Sequence, residues 1–136
     1  MGRLRWKWIL IAGFLAELTV LAIFFLLLAG AMLAGVPEIA APMSTLDNID
    51  AIVSSFATMF LFTLWAAKRI DSALVLHGAL IGVFGIVLFS ILWLSTAGPL
   101  GAQPWPYLVA HALKVVGGMT GGFVAERRRR RAAALT

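Results

Sequence analysis

The chain has no cysteine, which removes disulfides, thiolate nucleophiles and Cys-ligated zinc or iron–sulfur centres. Charge is scarce: only 12% of the 136 residues are Asp, Glu, Lys or Arg, where a soluble domain carries about 25%. Acid is scarcer than base, with six Asp and Glu against eleven Lys and Arg. Disorder is excluded because 62% of the residues are hydrophobic, far more apolar surface than a solvated coil tolerates. Enzyme signatures of the His-Glu-x-x-His or Gly-x-Ser-x-Gly type are missing as well. Long apolar runs are what remains, with a mean hydropathy of +0.99.

A membrane-spanning helix needs about 20 mostly apolar residues, and four stretches qualify, at 8–36, 46–67, 72–96 and 105–125. They exhaust the chain as one domain with a basic tail at 126–136. Hydrocarbon offers the backbone no hydrogen-bond partner, so each run reads as a helix. The expected fold is all-α, a bundle of four transmembrane helices. Ser44 is placed to cap the second helix, with Asp47 in its first turn. The short turn Lys68-Arg69-Ile70-Asp71 predicts that helices two and three are antiparallel neighbours. The first stretch exceeds the 7–15 residues typical of a signal-peptide core and contains Glu17, so it reads as an anchor.

Basic residues set the expected orientation. Arg3, Arg5, Lys7, Lys68, Arg69, Arg127, Arg128, Arg129, Arg130 and Arg131 all fall at one end of the bundle, leaving only Lys114 elsewhere. The positive-inside rule makes that end cytoplasmic, with both termini inside, as in a bacterial inner-membrane protein. These residues read as topology anchors drawn to anionic lipid headgroups rather than as a nucleic-acid surface.

An ionisable group within a span is costly and calls for a partner or a purpose. Glu17, His77, His111 and Lys114 are the four such groups. At about 1.5 Å per residue, Glu17 lies ~15 Å from Lys7 and Lys114 lies ~20 Å from Arg127. Similar depth and opposite charge predict an ion pair between helices one and four. The histidines differ in depth by roughly 12 Å, too far to share a zinc or a haem iron, so no metal or cofactor is expected.

Helical spacing groups the remaining candidates. On helix two Asp47, Asp50, Ser54, Thr58 and Trp65 share a face, and on helix four His111, Lys114, Gly118, Gly121 and Gly122 do. Gly117 belongs to the same glycine string, and helix three has its own small-residue face at Gly78, Gly82 and Gly85. Small-xxx-small faces let a second backbone approach, either within the chain or in another copy. The polar groups line up as a graded track, with Asp47, Asp50 and Ser54 outermost, then His111 and Thr58, then Lys114 and Glu17, then His77. Trp6, Trp8, Trp93, Trp105 and Tyr107 lie near span ends, as an interfacial aromatic belt does.

Four short helices with a lone glutamate in the first, here Ala16-Glu17-Leu18, look like the small multidrug resistance transporters. That resemblance implies a dimer in which Glu17 exchanges protons for cationic drugs. His111, Lys114 and the arginine run depart from the family's pattern.

The expected function is that of a small non-enzymatic membrane protein, working as a homo-oligomer or as a small subunit of a membrane complex. The alternative is a small transporter or channel for protons or a small solute, gated by Glu17 and Lys114. Expected partners are the lipid bilayer and a second copy or another subunit, with no nucleic acid. The orientation is open to direct test. A reporter fused after Thr136 or in the Lys68–Asp71 turn should read cytoplasmic, and reporters at Glu38 and Gly101 external. A cytoplasmic signal at either loop would overturn the topology.

Overall fold

The computed structural model describes residues 4–35, 40–97 and 105–135, with side chains described at all of these except 40–47, 96 and 97. Every regular element among the described residues is a helix. Helix α1 spans Trp6–Leu33, α2 Ala40–Ala66, α3 Leu74–Ala97 and α4 Trp105–Ala133, with a 3-10 turn at Ala67–Arg69 closing α2. All four helices are long and apolar enough to cross a membrane, as an integral membrane protein requires.

Three boundaries differ from the sequence reading. Helix α2 begins at Ala40, so Ser44 sits inside it rather than at its cap, and Asp47 lies beyond its first turn. Pro42 is no obstacle there, because the first four N–H groups of a helix have no intrahelical acceptor anyway. The side chains of Ser44 and Asp47 fall outside the described residues, as do Arg3 and the centres of the two loops without Lys or Arg. Helix α3 starts at Leu74 rather than Ser72, after Ala73 in a left-handed conformation at φ +50°. The His77 ring packs back on this turn, with its Nδ1 donating to the Ala73 carbonyl at 2.9 Å. Helix α4 continues to Ala133, making the arginine run helical. Ala, Arg and Glu favour helix, and neither Gly nor Pro interrupts them.

The helices form a four-cornered bundle in which α4 packs between α2 and α3, and α1 closes the opposite corner against the same two helices. Helices α2 and α3 are therefore diagonal to each other and touch only sparingly. The short turn between them makes them antiparallel but not packed neighbours, contrary to the sequence reading. The glycines of α4 supply the reason. Its Gly117 and Gly121 face α2, where an added methyl would lie 2.5 Å from the Phe56 carbonyl oxygen and 2.6 Å from that of Phe60. Its Gly118 and Gly122 face α3, against the backbone of Gly78 and of Leu74 and Val75. Gly82 of α3 returns the contact, seated on the Lys114 carbonyl. Helix α1 uses small residues too: Ile9, Ala12, Gly13, Ala16 and Glu17 are its buried face. The apolar core, with Ile9, Ala12, Met59, Ile70, Leu74 and Ile81, fills the half of the bundle nearer the basic residues.

That end, the basic end, is tied laterally. Arg5 pairs with Asp71, and its backbone N–H donates to His77 Nε2 at 3.0 Å. Arg129 donates to the Ala67 carbonyl, and the Arg69 guanidinium lies 5.4 Å from the Trp8 ring centre. The glycine faces generate a graded prediction. Gly118→Leu or Gly122→Leu should cost more than the ~1–3 kcal/mol of ordinary overpacking, since backbone rather than side chain must move. Gly30→Ala, where an added methyl meets nothing within 4 Å, should be neutral or gain about 0.5 kcal/mol. Thermal unfolding in detergent ranks the three variants, and equal stabilities would overturn the packing argument.

Candidate functional site

The centre of the bundle holds one ion pair. Lys114 Nζ of α4 lies 2.7 Å from Glu17 Oε1 of α1, so the pair bridges the diagonal across which the helices pack least. Both residues are buried, at 2% and 7% exposure. Gly85 makes room for it: a methyl there would lie 2.7 Å from Glu17 Oε1. The Lys114 ammonium also sits over the Phe89 ring, 4.8 Å from its centre. A charge in hydrocarbon needs compensation on every side that lacks water, and here a carboxylate and an aromatic face provide it.

Above the pair, away from the basic end, the bundle opens into a cavity of about 310 Å³. Asp50 and Ser55 of α2, Phe89 and Trp93 of α3, and Tyr107, His111 and Lys114 of α4 line it, with Val20, Leu21 and Phe24 of α1 completing the wall. Phe89 and Tyr107 stack at 5.5 Å, Phe89 and Trp93 at 6.1 Å, and His111 meets Phe89 edge-on at 5.2 Å. Trp93 and Tyr107 therefore wall the cavity instead of serving only as a belt. A second hollow of about 190 Å³ reaches Glu17 from between α1 and α3, and shares Val20, Leu21 and Phe89 with the first. Toward the basic end the path closes on Ala12, Ala16, Met59 and Ile81, all fully buried.

The expected polar track is brought together only in part. Asp50, His111 and Lys114 line one cavity. Ser54 donates to Asp50, and Thr58 turns back to the Ser54 carbonyl at 2.6 Å, so that part of the α2 stripe satisfies itself. Ser55, one position round the helix, faces the cavity instead. Trp65 leaves the track and packs against Trp8 at 5.6 Å. His77 is remote from the cavity, buried between Arg5 and Ala73 as a doubly hydrogen-bonded structural group. His77 and His111 do not meet, and no group of three His, Cys, Asp or Glu that could hold a metal occurs among the described residues. The sequence reading missed Gly13, Ser55 and Phe89; for Phe89 the i, i+4 spacing to Trp93 was the available signal.

No family model, curated protein or solved structure matches the chain, so the likeness to small multidrug resistance transporters extends no further than the tripeptide at Glu17 and the helix count.

The pair should behave as one energetic unit. Glu17→Gln or Lys114→Met alone leaves a buried charge uncompensated, a loss of about 3–5 kcal/mol, and the double variant should recover most of it. A double-mutant cycle on unfolding in detergent measures the coupling. Additive single effects would show that the two groups act separately.

Proposed function

We propose that this is a small non-enzymatic membrane protein that admits a solute into the aromatic cavity and couples its passage to a proton, with Glu17–Lys114 as the gate. The observation that carries this reading is a cavity ending directly on the buried ion pair. Charge balance adds to it. Among the described residues, the titratable groups facing the cavity and pair are Glu17 from α1, Asp50 from α2, and His111 and Lys114 from α4, with no charged residue from α3. Two carboxylates oppose one ammonium, so the cluster is neutral only with a further proton on His111 or on a carboxyl group. Low dielectric penalises any net charge left there, and a proton that must come and go with occupancy is a means of coupling. By the positive-inside rule the cavity opens externally and the sealed end faces the cytoplasm.

The glycine faces of α3 and α4 are filled within one chain, by each other and by α1 and α2, so they add no argument for self-association or a subunit role.

The cysteine-free chain makes the cavity directly testable. In Ser55→Cys, a charged, membrane-impermeant thiol reagent added outside should label the protein, while Ala16→Cys, beneath the pair, should stay unlabelled. Proteoliposomes should pass protons under an imposed potential, and Asp50→Asn should slow that flux by at least ~10-fold, or about 1.4 kcal/mol of barrier. An unlabelled Ser55→Cys, or flux no greater than in empty vesicles, would overturn the proposal.

A further inference from the structure

The basic end holds a second feature, independent of the cavity and of the functional reading. Between the end of α2 and the arginine-bearing turns of α4 lies a pocket of about 380 Å³. Its lower wall is apolar, formed by Leu64, Trp65 and Ala125, and its rim carries Lys68, Arg128 and Arg129. Among the described residues no carboxylate lines it. Arg129 is fixed in place by donating to the Ala67 carbonyl. Lys68 and Arg128 are exposed and make no ion pair among the described residues. The neighbouring hollow beside Arg127, Arg130 and Arg131 is different, for Glu126 lines it and pairs with Arg130 at 2.5 Å. Three cations are thus concentrated at one pocket while the rest of the arginine run is partly neutralised.

The pocket sits where the apolar span gives way to charge. Along the end of α2 and into its closing 3-10 turn, Leu61, Trp65 and Lys68 follow one another at spacings of four and three residues, and Leu61 and Trp65 are exposed. This series passes from hydrocarbon contact, through an amphipathic ring, to an ammonium. That is the order of groups along a phospholipid, from acyl chain to glycerol to phosphate. We propose that this pocket is a specific site for an anionic phospholipid, whose phosphate is held by Lys68, Arg128 and Arg129 while an acyl chain runs down α2 past Trp65 and Leu61. Three cations without a carboxylate favour a headgroup carrying two negative charges, as in diphosphatidylglycerol, over one carrying a single charge.

Native mass spectrometry of the full chain, titrated with defined lipids from detergent, reads this directly. Diphosphatidylglycerol should bind one per chain, more tightly than phosphatidylglycerol, with phosphatidylcholine weakest. The double variant Lys68→Gln/Arg128→Gln should weaken diphosphatidylglycerol binding by about 25-fold, from roughly a fivefold loss per cation. Lys68→Arg/Arg128→Lys should retain binding. Arg130→Gln/Arg131→Gln removes the same charge outside the pocket and should change affinity by less than ~3-fold. Equal losses in the two Gln variants would overturn the site in favour of a diffuse basic surface. Inorganic phosphate competing as well as the lipid at equal concentration would overturn the lipid assignment in favour of a free anion.

Discussion

The bundle depends on how closely the backbone of α4 approaches two neighbours at once. In a membrane, lipid tails are as apolar as leucine, so helices gain nothing by hiding hydrophobic side chains from solvent and associate through close packing instead. Gly117 and Gly121 on one side and Gly118 and Gly122 on the other let α4 pack tightly against both α2 and α3. The least hydrophobic span becomes the central one, and α1 is left to face it across the diagonal.

The ion pair follows from that placement. Glu17 and Lys114 meet across the bundle, and Gly85 leaves the space that a side chain would have filled beside Glu17 and Met59. A buried pair of this kind is weak support for stability, since two desolvated charges seldom outperform apolar residues of the same size. In the proposed gate its value would lie in responsiveness to a proton rather than in stability. The aromatic cluster of Phe89, Trp93 and Tyr107 adds shape to the cavity above, and Phe89 links the two by lying under the Lys114 ammonium.

Much of this could be read from the residues. Four apolar runs implied four helices, and counting residues placed Glu17 and Lys114 at one depth. Helical periodicity also grouped the glycines of α3 and α4 into faces. It could not say which helix each face would meet, because a face has a direction only relative to a neighbour. The apolar-inward pattern that orients helices in water is erased where the solvent is itself apolar. Hence the diagonal placement of α2 and α3 was hidden behind a short turn. Trp93 and Tyr107 matched an interfacial belt by depth, while only their rotation toward Phe89 places them on the cavity. The α2 start at Ala40 was obscured by Pro42, and the arginine run looked like a tail because charge was weighed above helix propensity.

The position of α4 also bears on how the chain is assembled. Segments emerge from the ribosome in order, so the last helix arrives when the first three have already been made. A lysine at mid-span opposes entry into lipid by roughly 2.5–3.5 kcal/mol, and this segment is the least apolar of the four. In the folded bundle that cost is offset by α2 and α3, which wall the span on two sides, and by the Glu17 carboxylate at the height of the lysine, so the span least suited to lipid alone takes its compensation from its neighbours.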